Sequence, residues 1–477
     1  MSKVLALIAA VVFLLPPVVE AQEGSAILEN VSKALGASPR SIQYSGNGIV
    51  HAVGQNAEPG AQWPRFTLKS FTRTIDYATA TQRDEIVRTQ LDPARGGGNQ
   101  PVRGELRQNL FVSGDWAWNV VGENAVPAPV ALAERQLQIW TTPHGLVKAA
   151  MANKATAQGS TFSFTVPNRM RVTALLDAAN LIQAVDAVIA HPVLGDMPIS
   201  VWYSNYKDFG GVKFPTRIRQ TAGGLPSLDL TVTDVRPNVA VDVTVPDAVR
   251  RAVLPYALVA SEEVADGVWY LTGGSHHSVV IEMKDHVIVV ESPLNDQRAL
   301  AVINATRKLV AGKPIHYVIN THHHYDHSGG LRGFASIGVP VITHEVNRAF
   351  LEAALAAPTT IYPDMLATSG RKATVEGFLG RRVLADETRT VEIHHMADNP
   401  HHDGLVLVYL PKDRILIQAD AFTPLAPNAS YPTPPNPFSV HLADMIARHR
   451  MIVDTLLPLH GRKVTLTELH KAIGRTP

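Results

Sequence analysis

The chain has 477 residues, 45% apolar and 18% charged, with a formal net charge of +1. That is a globular composition with length for two or three domains, and its balanced charge argues against general nucleic-acid binding. Cysteine is absent, which excludes disulfides, thiolate ligands and a cysteine nucleophile, so any metal must be held by His and carboxylates.

The chain opens with Lys3, an apolar run over residues 4–15, then Pro16, Pro17 and Val19-Glu20-Ala21. A spanning helix needs ~20 apolar residues. The short run, basic start and small-residue end read as a secretory signal over residues 1–21, cut after Ala21. The mature protein is therefore expected to begin at Gln22 and to be periplasmic or secreted. No later stretch is apolar enough to span a membrane, and the sequence leaves the oligomeric state open.

Residues 22–255 read as a β-rich domain. Strand-like runs lie at 66–76, 85–91, 135–140, 161–166, 199–208 and 227–235, rich in β-branched and aromatic residues. Residues 144–153 have helical spacing. Trp63, Trp116, Trp118, Trp140 and Trp202 fall in this half and are expected in its core. Residues 199–220, with YKDFGGVKFPTRI, resemble strands of lipoprotein-carrier-like sheets, which implies an open half-barrel around a helix. No ligand constellation is visible here. Residues 236–261 carry proline and charge and read as a linker, with the boundary set between residues 255 and 256.

Residues 256–477 read differently. Two apolar strands within 278–291 flank the turn MKDH, and 297–309 has helical spacing. Strands are expected at 315–320, 339–343 (an edge strand, because of Pro340), 405–410 and 414–418, and a helix at 442–457. Of the 20 histidines, all but His51, His144 and His191 lie here. Strand 315–320 runs into THHHYDHSGG, which contains H-x-H-x-D-H: His322, His324, Asp326 and His327. On an extended backbone, i and i+2 point the same way, so His322 and His324 can grip one metal. Asp326 and His327 follow as the chain turns, and can face a second. Imidazole and carboxylate suit zinc, and also iron or manganese.

H-x-H-x-D-H after an apolar strand, His401 before DGLVLVYLP, Asp420 closing RILIQAD and His460 in PLHG together resemble the metallo-β-lactamase-fold hydrolase superfamily, over residues 264–464. The resemblance implies an α+β chain whose C-terminal domain is an αβ/βα four-layer sandwich behind the β-rich domain. It also implies two divalent metals: one on His322, His324 and His401, the other on Asp326, His327 and His460, with Asp420 bridging. Because every such ligand lies after residue 320, the C-terminal half is expected to bind both metals alone. His402 is the alternative to His401, and His323 is expected to point away. His276, His277, His344, His394 and His395 have no metal role in the pattern, although GGSHHS can carry a substrate-side His276 or His277. Where the family commonly has D-T/S-G, this chain has Glu291-Ser292-Pro293, so Glu291 is the candidate to support the metal ligands. The proline-rich insertion 421–438 leaves from Asp420 and is expected either to roof the site, with Tyr431 and Phe438 on its inner face, or to be a structural spacer packed against the β-rich half.

In such a site two metals about 3.5–4 Å apart hold a hydroxide that attacks a carbonyl or phosphoryl centre. Asp326 is the expected proton shuttle. The implied function is hydrolysis of a small ester, lactone, thioester or related carbonyl substrate. A β-lactamase is the enzymatic alternative, disfavoured by Asp420, and a metal-bearing binding protein is the non-enzymatic one.

Overall fold

Alternating strands of the first half pair, each with a neighbour, into one antiparallel sheet of thirteen strands. The structure is a computed structural model that describes residues 23–91, 95–98, 101–166, 169–253 and 258–476. The expected signal segment and the 255/256 boundary lie outside these residues. In the sheet the first strand, Ser41–His51, sits beside the last, Leu225–Pro237. The two edge strands, Asn124–Pro127 and Thr156–Gln158, are joined by helices Leu132–Thr141 and Pro143–Ala152. With helix Glu23–Leu35 they bury Leu28, Val31, Ile139 and Leu146 against Ile42, Phe162, Val185 and Phe214 of the sheet. Register shifts around Gly46 and Gly48 bend the first strand. A Cβ at Gly46 would lie 2.2 Å from the Thr231 carbonyl oxygen, so only glycine permits that approach.

The segment 135–140 is not a strand, as its apolar alternation suggested, but part of helix Leu132–Thr141. Leu, Ala, Glu, Arg and Gln are strong helix formers, and the helix buries Arg135 and Gln136 as well as Leu137 and Ile139. Arg135 is satisfied there by the carbonyls of Phe111 and Trp118. The expected linker is likewise partly structural, since Val245 and Val249 pack on Trp118.

The second half forms a seven-stranded and a six-stranded sheet. In the first, strands Ala260–Ala265, Val268–Thr272, Ser278–Glu282 and Val287–Val290 are antiparallel. Ile315–Ile319, Val341–His344 and Val375–Phe378 then add in parallel. Val341–His344 is therefore interior. Pro340 precedes its first paired residue and only offers its carbonyl to Val318 N, so no ladder donor is missing. The two sheets share a core in which Val279, Ile288 and Ile319 meet Ile393, Val406 and Ile417. Helices Asp296–Leu309, Leu331–Ser336 and Glu345–Ala356 share a core with the first sheet, and Pro437–Arg448 and Leu466–Ala472 with the second. The helix expected over 442–457 stops at Arg448, and Thr455–Pro458 is a strand parallel to Ile415–Gln418. Arg450 takes a φ of +53°, which ends the helix, and apolar residues continue on both sides of that break. Among the described residues, no helix is long and apolar enough to cross a membrane.

Candidate metal centre

The interior strand Ile315–Ile319 delivers the chain to its C-terminal end, where open α/β sheets present functional groups. His322 and His324 follow on non-helical backbone, and Asp326 and His327 sit on the single turn Tyr325–Ser328. His401 is fixed by its backbone N–H, which donates to Asn399 Oδ1 at 2.9 Å. Asp420 lies two residues beyond strand Ile415–Gln418, at a φ of +59°. Gln418 closes that turn by accepting from Ala421 N and Phe422 N. His460 lies just past strand Thr455–Pro458.

These side chains converge in two groups whose candidate ligand atoms lie within 4.8 Å of one another: His322, His324, His401 and Asp420; and His276, Asp326, His327 and His460. Asp420 stands between them. Its Oδ2 is 3.1 Å from His401 Nε2 and 3.2 Å from His327 Nε2, and its Oδ1 is 2.9 Å from His460 Nε2. His322 Nε2 and His401 Nε2 face each other at 3.2 Å, and His327 Nε2 and His460 Nε2 at 3.0 Å. Two neutral imidazole lone pairs repel at such distances, so these pairs need a proton or a cation between them. His324 Nδ1 is buried with no hydrogen-bond partner. The donor set and this orphaned nitrogen fit divalent metals.

Burial pushes His322 and His324 well below the usual histidine range, and neighbouring imidazoles add to the shift. Burial would also lower His327, but Asp420 and Asp326 outweigh it and raise that group well above its ordinary value. Burial opposes the charge on Asp420, yet His327 and His460 hold its carboxyl well below the carboxylate range.

Around these groups lies a buried shell. Glu291 Oε2 accepts from His327 Nδ1 at 3.0 Å and from the Thr321 hydroxyl, which also lies 3.0 Å from His322 Nδ1. Holding the far nitrogen of a histidine aims the near one. The hydrogen-bond chain also separates His401 from His402. Gly404 N–H donates to His402 Nδ1, His402 Nε2 donates to His323 Nδ1, and His323 Nε2 donates to Asn56 Oδ1. Both nitrogens of His402 are thereby engaged, whereas His401 presents Nε2 to His322 and Asp420.

Three residues at the site carry no signal in the motif. His276 places Nε2 3.1 Å from Asp326 Oδ2, and its ring centroid 4.1 Å from that of His460. GGSHHS marked it only as a possible substrate contact. Gln55 donates to Asp326 Oδ1 at 2.7 Å, and the Asn56 carbonyl accepts from His324 Nε2 at 2.8 Å. These two come from the loop after the first strand of the β-rich half, where no pattern distinguishes them. His277 instead bonds the Gly461 carbonyl, His344 stacks on His395, and His394 pairs with Glu392. The proline-rich insertion differs from expectation in its aromatics. Tyr431 turns to Glu468, and Phe438 is buried with its ring 5.2 Å from that of His401.

Comparison with known proteins agrees with the resemblance. Residues 271–444 match the family model described as metallo-beta-lactamase superfamily. The 2,4-dinitroanisole O-demethylase subunit alpha of Nocardioides sp. (strain JS1661) is 26% identical over 161 residues, 34% of this chain and 45% of that protein. The match thus spans under half the length of that relative. Among solved structures, a metallo-beta-lactamase from Pontibacter korlensis is 18% identical, with a TM-score of 0.36, over 46% of this chain and 98% of its own. The DIM-1 metallo-beta-lactamase is also 18% identical, with a TM-score of 0.35, over 45% and 95%.

Proposed function

We propose, from the premise that residues 271–444 form a metallo-beta-lactamase superfamily domain, that this chain is an exported binuclear metal-dependent hydrolase of small esters, lactones, thioesters or related carbonyl compounds. The domain is of a metal-dependent hydrolase type. Its three cores support an αβ/βα four-layer arrangement. The reading rests above all on one observation: the Asp420 carboxylate lies between two histidine groups, within 3.2 Å of His401, His327 and His460. His322, His324 and His401 would hold one divalent cation, and Asp326, His327 and His460 the other, with Asp420 shared. Such cations, zinc first given the donor set, supply Lewis acidity and a water that is nucleophilic near neutral pH.

The chain's own residues orient and move protons. Asp326 has 32% of its side chain exposed against 1% for Asp420, so Asp326 is the carboxylate that can meet a substrate. Gln55 donates to its Oδ1 at 2.7 Å, and its Oδ2 lies 3.1 Å from His276 Nε2, which can donate to it. A second substrate class, an alkyl aryl ether, is raised by the O-demethylase relative.

The test is a screen of the zinc-loaded full chain against p-nitrophenyl esters, homoserine lactones, thioesters, 2,4-dinitroanisole and nitrocefin. Turnover of the carbonyl esters is expected. Preference for nitrocefin would favour the β-lactamase alternative, and bound metal without any turnover the binding-protein alternative. Asp420→Ala should deplete both metals in elemental analysis; loss of only one would show that Asp420 does not bridge.

A further inference from the structure

We propose that the metal centre is not complete within the C-terminal half: a strap from the β-rich half, residues 54–57, sets the tautomer of His324 and the orientation of Asp326. This rests on the metal-centre reading above and goes beyond it, because every ligand in that reading lies after residue 320.

The Asn56 carbonyl can only accept a hydrogen bond. At 2.8 Å from His324 Nε2, it requires a proton on that nitrogen. Neutral His324 then carries its lone pair on Nδ1, the buried atom with no partner. A backbone carbonyl thereby selects which nitrogen is left to bind a metal. Gln55 donates to Asp326 Oδ1 at 2.7 Å and leaves Oδ2 for His276 and the second histidine group. The Asn56 side chain continues the same task one layer out. Its Oδ1 accepts from His323, and its Nδ2 is tied to the Ala61 carbonyl at 3.0 Å.

The strap is held from both sides. Gly97 N donates to the Gln55 carbonyl at 2.8 Å, and Asp403 N to the Ala57 carbonyl at 2.8 Å. Gly96 N reaches the Pro400 carbonyl at 3.0 Å, immediately before His401. Arg95 pairs with Asp403. The strap therefore engages both the H-x-H-x-D-H turn and the His401 loop. Its entry depends on Gly54, which has a φ of +75° and lies against the Tyr325 ring: a Cβ there would come within 2.2 Å of Tyr325 Cδ2. That ring is packed on His191 and Phe350 and has little room to yield.

The test uses a matched pair of glycines in the full-length protein. Gly54→Ala drives the strap off Tyr325. Gly60→Ala imposes the same backbone penalty in the same loop, at a φ of +83°, but its Cβ would meet nothing within 4 Å. Gln55→Ala removes the Asp326 contact alone. The readouts are zinc affinity by chelator competition and the visible spectrum of the cobalt-substituted protein, with circular dichroism as the folding control. Loss of supporting contacts typically costs 10–100-fold in metal affinity. A weakening of about that size is expected for Gly54→Ala, with an altered cobalt spectrum, and a smaller weakening for Gln55→Ala. Gly60→Ala should stay within about threefold of wild type. Equal affinities and spectra in all four proteins would overturn the proposal, as would equal weakening by both glycine variants. A wild-type protein that binds no metal would instead overturn the metal-centre reading itself.

Discussion

Glu291 and Asp420 each follow a buried strand with a left-handed backbone, at φ values of +73° and +59°. Such conformations cost of order 1–3 kcal/mol in a residue that is not glycine, and they cluster where chemistry needs a side chain aimed against its local preference. Asp420 turns its carboxylate between two histidine groups. Glu291 turns back on Thr321 and His327, so the residue that departs from the family's usual Asp stands where it can support the shell. Glu291→Gln removes the charge that polarises His327. Zinc affinity should fall about tenfold or more, measured by chelator competition, with secondary structure retained. An unchanged affinity would reduce Glu291 to a packing residue. His276 is distinguished from its neighbour His277 by direction alone: one ring faces Asp326 and the other the Gly461 carbonyl.

The proline-rich insertion is braced against the outer core of the second half. Ala421 and Phe422 are in the outer core, Ser439 Oγ bonds the Ala421 carbonyl, and Arg462 bonds the Leu425 carbonyl. Tyr431, expected on the inner face, donates its hydroxyl to Glu468 at 2.8 Å, and Arg462 meets the same carboxylate. Tyr431→Phe should therefore lower stability by about 0.5–1.5 kcal/mol, the net worth of one part-buried hydrogen bond. Thermal denaturation measures that. The ratio of kcat/KM between small and bulky esters should not move; a changed ratio would restore Tyr431 to the substrate face. The misread elements have one cause in common. Residues 135–140 and 442–457 present apolar spacing that fits either a strand or a helix, and Pro340 marks a strand's start as readily as its edge. In each case the neighbouring element decided.

At the scale of the whole molecule, hydrogen bonds join the two halves. Beyond the strap, Asp196 N donates to the Pro358 carbonyl at 2.7 Å, and Asp196 accepts from Thr360 and Ile361. The β-rich half also carries a pH dependence of its own. Burial lowers His144 from 6.5 to about 4, so the unfolded chain takes up its proton first as pH falls. The corresponding stability is fully present above pH 6.5 and is lost as the medium is acidified toward pH 4. His144→Met removes that proton uptake while keeping an apolar filling. Relative to wild type, the melting temperature of this variant should be higher at pH 5 than at pH 8; a constant difference would mean that His144 does not titrate on unfolding. What the amino-acid order determined by itself was whatever is written in local spacing. The strand that ends in H-x-H-x-D-H and the Gln297-to-Leu309 helical period are of this kind, because a period of two or 3.6 puts neighbours on one face, whereas His401, Asp420 and His460 were legible only through the family resemblance. What only the tertiary structure decided depends on residues far apart in the chain: that His276 turns to Asp326, that His402 is tied up by His323, and that Gln55 and Asn56 reach across from the other half. No spacing encodes these, since each arises where segments distant in the chain meet and buried polar atoms must find their partners.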